Sequence, residues 1–494
     1  MAAGSRVPDA GSGAEVVATH ISMLVLTGDR VLKFRKPVVT DFCDFSTVEA
    51  RDDDCRREVE LNRRLCDDVY LGVGHVRLDD GDDAAPPEPC VVMRRLPADR
   101  QLSALVARGD DLSGPLQQVA ARLAAFHRAA ARSPEIAADG AVGAVRRLWQ
   151  VAVDELRPHL GDTDDQGLLD EVERLAASWF RGRAALYAER VAAGEVCDGH
   201  GALRGDNVFC LDDGPRILDC IEFDDHLRHL DVVTDVAFLV MDLRRLGRPD
   251  DADTFVRAYG EHAGTVLPGP LLEHGVAYWA LVRAKVAHLR AAQDDPRAPA
   301  EARDLLRLAH RQLRDARPRL VLVGGLPGSG KSTLAATVAR ATGWVVVSSD
   351  RIRKELAGLS ATARTGDAFG EGLYDAGHSA ATYDALLARA ATALGQGETV
   401  VLDASWGTAA DRAAAAALAE ATASELHQMR CEVAADTARS RLEARAARGD
   451  DPSDAGVVVA RALAERSDPW AEATTVDTSG PPDATAAHLA DLLR

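Results

Sequence analysis

The residues with the clearest chemistry form one glycine-rich run in the last third of the chain. In chain order the run reads Gly325, Leu326, Pro327, Gly328, Ser329, Gly330, Lys331, Ser332 and Thr333. It matches the pattern GxxxxGK[ST] between a predicted apolar strand and a predicted helix. Glycines let backbone N–H groups turn toward a phosphate, Lys331 reaches the terminal phosphates, and the Ser332 hydroxyl can bind Mg²⁺. The run therefore predicts a site for a nucleoside triphosphate.

Two carboxylates follow this run, each at the end of a predicted strand. Asp350 closes "WVVVSSD", and Arg353 comes one helical turn later, on the same face. A carboxylate there can accept the proton of an attacking hydroxyl, while the guanidinium holds the substrate or the phosphoryl group. Asp403 closes "ETVVLD" and is predicted to contact magnesium through water. A helix cap at Asp350 and a plain turn at Asp403 are the open alternatives.

An arginine-rich helix comes later in the same region. Arg441, Arg445 and Arg448 recur at spacings that put them on one helical face. Such a face can close over a phosphate loop and neutralise charge in the transition state. We predict that Arg445 and Arg448 contact nucleotide. A solvated face paired with Glu443 is the alternative.

Together, these motifs suggest a protein family for residues 319–494. The region resembles the small P-loop kinases, which include gluconate kinase, shikimate kinase, the zeta-toxin sugar kinases and polynucleotide kinase. The pair Asp350 and Arg353 resembles the DxxR of the zeta-toxin and polynucleotide kinases. The resemblance implies a parallel α/β sheet, a bound ATP or GTP as phosphoryl donor, and Mg²⁺.

A second constellation stands in the first half of the chain. The segment "CDGHGALRGDNVFCLDDGPRILDCIEFDD" resembles the catalytic segment of the aminoglycoside and choline phosphotransferases, whose fold is that of protein kinases. The resemblance places His200 in the catalytic loop. It implies that Asn207 and Glu222 bind magnesium, with Asp219 as the nearby alternative.

The same resemblance extends upstream over residues 15–295. Lys33 stands where the family has its phosphate-binding lysine, with Lys36 as the second choice. Glu58 would pair with that lysine from a helix. Met93, in "VVMRRLP", resembles the hinge where adenine binds. The tandem order of the two regions resembles a group of bacterial fused proteins.

The chain departs from the family pattern at one position. Ala202 stands where the family has the aspartate that accepts the proton, and a methyl group accepts none. Loss of a positioned base typically costs ~10²–10⁴ in rate. Two interpretations are open: a natural pseudokinase, or an alanine introduced into a competent site. Retention of the other ligands, Lys33, Glu58, Asn207 and Glu222, favours the second.

The elements that must position these residues suggest two domains of mixed α/β and α+β class. We predict a bilobal, protein-kinase-like phosphotransferase domain followed by a P-loop domain with a parallel sheet. The predicted order is a flexible N-terminus (1–14), a kinase-like N-lobe (15–97), a helical C-lobe (98–295), a linker helix (296–318) and the P-loop domain (319–494). A chain of 494 residues is long enough for this division.

The amino-acid composition limits the classes of partner that we expect the chain to bind. Lys and Arg number 58 against 77 Asp and Glu, a net charge of −19, and residues 319–494 carry 17 against 23. This balance argues against nucleic acid as a partner. The eight cysteines include no CxxC pair, and no signal segment or membrane-length apolar run is visible, so we expect a cytoplasmic protein without a membrane partner.

The sequence thus predicts an ATP-dependent bifunctional kinase. Its acceptor would be a small-molecule hydroxyl on a sugar, aminocyclitol or related metabolite. The alternatives are a polynucleotide 5′-hydroxyl kinase and a pseudokinase sensor that regulates an active P-loop kinase. Arg283 and Lys285, on a predicted helix, are either surface cations or ligands of an anionic substrate.

Overall fold

The computed structural model describes residues 6–8, 15–18, 21–39, 44–77, 86–161, 163–292, 295–360, 375–448 and 457–492. The chain divides into two compact units. The first unit comprises Met1–Leu169 and Tyr187–His310, and the second comprises Asp170–Leu186 and Arg311–Arg494. The division falls inside the helix Ala298–Ala316, which covers most of the segment predicted as a linker helix.

An antiparallel sheet and one helix form the N-terminal lobe of the first unit. The strands are β1 (Arg6–Pro8), β2 (Glu15–Ala18), β3 (Ser22–Thr27), β4 (Arg30–Arg35), β5 (Tyr70–Val76) and β6 (Glu88–Arg94), with α1 (Val48–Cys66) between β4 and β5. Their order in the sheet is β1-β2-β3-β4-β6-β5. The Gly28-Asp29 turn joins β3 to β4, with Gly28 at φ 51°. Residues 1–14 are predicted from the sequence to be flexible. Within them, Arg6–Pro8 form strand β1, whose backbone pairs with β2.

Helices dominate the second lobe of the first unit. They are α2 (Leu102–Arg108), α3 (Ser113–Ala129), α4 (Pro134–Asp139), α5 (Val142–Leu156), α6 (Thr163–Gly182), α7 (Ala184–Ala192), α8 (Val232–Arg245), α9 (Pro249–Ala263), α10 (Gly269–Ala291) and α11 (Ala298–Ala316). Helices α6 and α11 continue from the first unit into the second. The interior of the lobe is built around α8, where Phe238 stacks on Trp279 of α10 at 4.1 Å.

Four short strands carry the catalytic-loop region of this lobe. They pair as β7 (Val196–Asp198) with β10 (His229–Asp231), and as β8 (Val208–Leu211) with β9 (Gly214–Ile217). The loop between β7 and β8 contains His200, Ala202 and Asn207. The loop between β9 and β10 contains Asp219 and Glu222. The two antiparallel pairs therefore hold both predicted site segments at their ends.

The second unit is a parallel sheet flanked by helices. The strands β11 (Arg319–Gly324), β12 (Val345–Ser348), β13 (Val400–Asp403), β14 (Glu425–Glu432) and β15 (Thr474–Asp477) lie in the order β12-β13-β11-β14-β15. The helices are α12 (Lys331–Thr342), α13 (Ser349–Leu356), α14 (Ala376–Gly395), α15 (Ala409–Ala421), α16 (Ala435–Arg448), α17 (Val457–Arg466) and α18 (Pro482–Leu492). Apolar clusters cover both faces of the sheet, as a parallel sheet requires.

This architecture confirms the predicted fold class, with a bilobal kinase-like unit and a parallel-sheet unit. In the described residues, no helix combines the length and the apolar character needed to cross a membrane. The seven cysteines of the described part are buried, and none of them pairs with another.

Candidate nucleotide-binding sites

In the first unit, a lysine from the sheet meets carboxylates from a helix and a loop. The Lys33 ammonium on β4 donates to Glu58 of α1 at 2.8 Å and to Asp219 at 2.9 Å. Burial alone would lower the pKa of Lys33, but the two carboxylates raise it above its ordinary value. Of the two lysines predicted for the phosphate-binding role, Lys33 is therefore the one that contacts Glu58 and Asp219.

Arg35 lies on the same face of β4, because side chains two residues apart on a strand point the same way. Its guanidinium donates to Glu58 at 2.7 Å, and it also contacts Asp54 and Glu222. All four side chains of this layer are buried. Sequence reasoning missed Arg35, although a charge two positions from Lys33 in an apolar strand was the available signal.

The two candidate metal carboxylates occupy different environments. Asp219 has its side chain 45% exposed, beside Lys33, whereas the Glu222 side chain is 6% exposed and paired with Arg35. Burial raises the pKa of Glu222 to about 7, with Arg35 opposing and Glu58 adding to the rise. Burial acts in the same direction on Asp219, but Lys33 lowers its pKa well below the ordinary value. The structure thus turns Asp219, not Glu222, toward the open side of the site.

The catalytic loop is held by its own side chains. The Asn207 amide donates to the carbonyl of Ala202 at 2.9 Å, and the Ala202 N–H donates to His200 Nδ1 at 3.2 Å. His200 is fully buried, and burial lowers its pKa to about 4. The imidazole is therefore neutral at pH 7 and accepts a hydrogen bond from the loop that carries position 202.

A buried aspartate anchors this loop from α8. Asp235 accepts the N–H groups of His200 at 2.7 Å and of Gly201 at 3.0 Å, and the His127 ring contacts it at 3.1 Å. Burial would raise the pKa of Asp235, but the hydrogen bond and charge of His127 lower it. Asp235 thus positions the loop and makes no contact of its own with the Lys33 cluster.

Met93 occupies the end of β6, where it pairs with Val31 of β4 and Tyr70 of β5. The strand ends one residue later, at Arg94, and the chain enters the helical lobe through the short helix Ala98–Arg100. Met93 therefore lies at the connection between the lobes, the place that the family resemblance gives to the adenine.

In the second unit the phosphate loop joins β11 to α12. Gly325, Gly328 and Gly330 all have positive φ, at 137°, 83° and 87°. A Cβ at Gly328 would stand 2.7 Å from the carbonyl oxygen of Ala438, and one at Gly325 would stand 2.7 Å from that of Cys431. Backbone conformation and space both require glycine, so the loop presents its N–H groups without side chains in the way.

The predicted partners of the loop converge on its mouth. Register places Asp403 of β13 beside Val323 of β11 and beside Ser348 of β12. Asp403 is buried, and burial raises its pKa, while the Lys331 charge and the Ser332 hydroxyl act against the rise. Asp403 thus lies next to the lysine and the serine of the loop.

Asp350 and Arg353 face each other at the start of α13. Their Oδ1 and Nη1 atoms are 2.9 Å apart, and the side chains are 19% and 11% exposed. Ser348, rather than Asp350, occupies the N-cap position of this helix. Asp350 lies inside the first turn, so the capping alternative is wrong.

Of the three arginines predicted to share one face of α16, Arg441 is the one whose side chain the structure describes. Its guanidinium donates to the carbonyl of Thr478 at 2.8 Å, and Thr478 in turn donates to the carbonyl of Ser329 in the phosphate loop at 2.5 Å. Sequence reasoning missed Thr478, which no local pattern marks. The predictions for Arg445 and Arg448 lie outside the described side chains.

Comparison with known families and solved structures found similarities to parts of the chain. A family described as an AAA domain matches residues 320–469. A choline/ethanolamine kinase family protein from Mesorhizobium loti covers 62% of this chain and 90% of its own, at 14% identity and TM-score 0.38. A putative kinase from Chloroflexus aurantiacus covers 36% of this chain and all of its own, at 21% identity and TM-score 0.30.

Fold and sites together define the class of architecture: a unit of protein-kinase-like fold is followed by a parallel-sheet unit with a phosphate loop. Two mycobacterial proteins match almost its whole length. The uncharacterized proteins Rv2004c of Mycobacterium tuberculosis and Mb2027c of Mycobacterium bovis are each 41% identical over 467 residues, 94% of this chain and 93% of theirs. The chain belongs to the family of these two proteins.

Proposed function

We propose that the chain is an ATP-dependent bifunctional phosphotransferase for small molecules. It would transfer the γ-phosphoryl group to a hydroxyl of a sugar, an aminocyclitol or a related metabolite. The observation that carries the proposal is the presence of one lysine-and-carboxylate site in each unit, Lys33 with Asp219 and Lys331 with Asp403.

In the second unit the residues divide the work of transfer. The acceptor oxygen attacks the γ-phosphorus. The bond between the γ-phosphorus and the oxygen that bridges to the β-phosphate breaks, and the nucleoside diphosphate leaves. Asp350 takes the hydroxyl proton, and Arg353, held by Asp350 at 2.9 Å, faces the transferred group. Lys331 neutralises the charge that develops on the phosphates.

Magnesium fits both sites on the charges present. In the first unit four carboxylates, Asp54, Glu58, Asp219 and Glu222, face only two cations, Lys33 and Arg35. The acidic groups thus outnumber the cations, which suits a divalent ion. Asp219 and Asn207 would hold it there, and Ser332 with Asp403 in the second unit. When bound, Mg²⁺ would neutralise the phosphate oxygens.

This assignment reverses the order that the sequence gave to two residues. The family resemblance put Glu222 first as the metal ligand and Asp219 second. We propose Asp219 instead, since it is the carboxylate beside Lys33 and is open to the site, whereas Glu222 is buried against Arg35. Glu222 would then balance the charge of Arg35 beneath the site.

Position 202 distinguishes the two activities. The Ala202 backbone is held by Asn207 and His200, but its methyl group accepts no proton. The first unit would therefore bind nucleotide and transfer slowly, and an aspartate at this position would supply the missing base. The alternative function, a pseudokinase sensor that regulates an active P-loop kinase, is also based on the alanine at position 202.

An acceptor screen that detects ADP release tests the proposal. Sugars, sugar acids, aminocyclitols and 5′-hydroxyl oligonucleotides are offered to the chain and to the Lys331→Ala and Ala202→Asp variants. Arg340→Ala, an exposed cation on the same helix as Lys331, is the matched control. We expect turnover that Lys331→Ala removes and a second turnover that appears in Ala202→Asp. Turnover on oligonucleotides alone would favour the repair kinase, and none with any acceptor would refute the proposal.

A further inference from the structure

A group of arginines lies beside the catalytic loop of the first unit and is not used by the proposed function. Arg204 belongs to the loop itself, two residues after Ala202, and Arg283 projects from α10. Arg245 and Arg290 complete the group, and Glu301 of α11 faces three of its members. The group therefore brings several like charges together around few carboxylates.

Arg283 is poorly matched by its surroundings. Its side chain is 14% exposed, and its one ion pair in the described part of the chain is to Glu301 at 3.8 Å. The same carboxylate already contacts Arg290 closely and lies 3.9 Å from Arg245. Glu301 is therefore shared, and Arg283 receives only a long and divided interaction.

Arg204 is in a similar position. Its side chain is 12% exposed, and its one ion pair among the described residues, to Asp206, is 3.9 Å long. A guanidinium carries five N–H donors. Neither Arg204 nor Arg283 uses one in a hydrogen bond to the described protein, although both are largely withdrawn from water.

The two guanidinium groups also act on each other. Burial lowers the pKa of Arg283 to about 9, and the charge of Arg204 is the next cause of this lowering. Holding two like charges together in a partly buried place is unfavourable unless an anion joins them. The arrangement is one that an oxyanion with several acceptor oxygens would complete.

The place of this pair relates it to the transfer site. Arg204 follows Ala202 by two residues in the predicted catalytic loop, and its charge acts on both Asp219 and Arg283, so it lies near both groups. The next residue, Gly205, donates its N–H to Asp242 at 2.9 Å, and Asp242 also pairs with Arg245. This contact fixes the loop that carries Arg204 to α8.

We propose that Arg204 and Arg283 form a subsite for an oxyanion, a phosphate or carboxylate group, in the cleft of the first unit. The proposal deepens the proposed function and rests on it for the identity of the ligand. The anion would be either a group on the acceptor or the γ-phosphate of the nucleotide. An acceptor anion would exclude polycationic aminoglycosides, since two guanidinium groups with only long ion pairs repel them.

The neighbouring cation on α10 supplies a matched control. Lys285 lies two positions from Arg283, but its ammonium pairs with Glu155 at 2.5 Å. The sequence presented these two cations as equivalent, and the structure separates them. Lys285→Met removes a charge from the same helix without touching the proposed subsite.

Inorganic phosphate is the probe, because it carries the charge without the rest of a substrate. Calorimetric titration uses the full chain with Lys331→Ala, so that the phosphate loop of the second unit does not dominate. We expect phosphate binding at millimolar concentrations. Arg283→Met and Arg204→Met should each weaken it about tenfold or more, as loss of a hydrogen bond to a charged group does. Lys285→Met should leave it unchanged, and circular dichroism confirms that each variant is folded.

Two further titrations identify the source of the anion. If the γ-phosphate occupies the subsite, Arg283→Met weakens binding of the Mg²⁺ complex of a non-hydrolysable ATP analogue but not of MgADP. If an acceptor group occupies it, both nucleotides bind normally to Arg283→Met, and phosphate still binds beside the saturating analogue. Either result supports the subsite.

Phosphate affinity that is equal in the Arg204→Met, Arg283→Met and Lys285→Met chains would overturn the subsite, and so would no phosphate binding at all. These results are separable from failure of the proposed function, because nucleotide binding is measured in its own titration. A chain that binds phosphate through Arg283 but binds no nucleotide would refute the proposed function and leave the subsite standing.

Discussion

The two units hold their candidate triphosphate sites by opposite means. In the second unit the backbone of one continuous loop does the work, with glycines at 325, 328 and 330 and Lys331 beside them. In the first unit the charge is held by side chains from a strand, a helix and a loop, with Lys33 and Asp219 separated by 186 positions. A backbone site is local and tolerates few substitutions, whereas a side-chain site depends on the whole fold around it.

The units also differ in what surrounds the reacting atoms. The second unit has a carboxylate, Asp350, paired with Arg353 at the mouth of its loop. The first unit has a methyl group at Ala202, although its catalytic loop is held by Asn207, His200 and Asp235. Under the proposed function, the first unit has the scaffold without the base, whereas the second unit has both, and each of the following predictions tests that contrast.

The largest expected effect is a gain of function in the first unit. Ala202→Asp places a carboxylate on a loop that is already positioned, so phosphoryl transfer by this unit should rise about 10²–10⁴-fold. The measurement is the initial rate of product formation in the Lys331→Ala background. Asparagine has nearly the same shape as aspartate but cannot take up the proton, so Ala202→Asn should give no gain in rate. Equal rates for the two variants would show that the base is not what this unit lacks.

The second prediction is a loss in the other unit. Lys331→Ala removes the cation that faces the phosphates, and its rate of transfer should fall about 10²–10³-fold or more. The Arg340→Ala control on the same helix should keep full activity, since its side chain is 75% exposed and far less constrained. If both variants lost activity to the same extent, the phosphate loop would not be the source of the reaction.

A third, smaller effect separates the two carboxylates of the first unit. Asp219→Asn should weaken binding of a Mg²⁺–nucleotide complex about 10–100-fold, because it removes the charged oxygen ligand that we propose for the magnesium ion. Glu222→Gln should act mainly on the free energy of unfolding, through Arg35. Calorimetric titration of both variants in the Lys331→Ala background decides the order. The reverse ranking would restore Glu222 as the metal ligand.

The smallest effect concerns acid stability of the catalytic loop. The pKa of His200 is about 4 in the folded chain and about 6.5 when unfolded, so the unfolded chain takes up the proton first. Folding stability should therefore fall as pH drops below 6.5, by about 2 kcal/mol at pH 5, and the loss should end near pH 4.

Urea unfolding at pH 7 and pH 5 measures this loss, with His200→Asn as the variant that cannot titrate. Replacement of the exposed His75 should leave the loss unchanged. An equal decrease of stability in the wild-type and His200→Asn chains would assign the acid sensitivity to other groups.

The features that the sequence predicted correctly are those that a short stretch of residues specifies. The fold class, the glycine loop and the strand end at Asp403 followed from residues close in sequence, because a strand–loop–helix unit is specified within about thirty positions. The prediction for Asp350 was off by two residues: β12 ends at Ser348, and Asp350 lies in the first turn of α13.

The remainder depends on contacts that sequence spacing does not reveal. Asp219 and Glu222 are three positions apart in one loop, and only the position of Lys33 and Arg35 in space decides which is open to the site. Arg35, Thr478 and the pair Arg204 and Arg283 were missed or left undecided for the same reason. Their roles come from partners on distant elements, not from a motif.

The central claim is that each unit binds one magnesium-bound nucleoside triphosphate. Calorimetric titration of the full chain with the Mg²⁺ complex of a non-hydrolysable ATP analogue tests it most directly. The account predicts two sites per chain, with one site remaining after Lys331→Ala and one after Lys33→Met. A single site in the wild-type chain that disappears in Lys331→Ala and is untouched by Lys33→Met would contradict it.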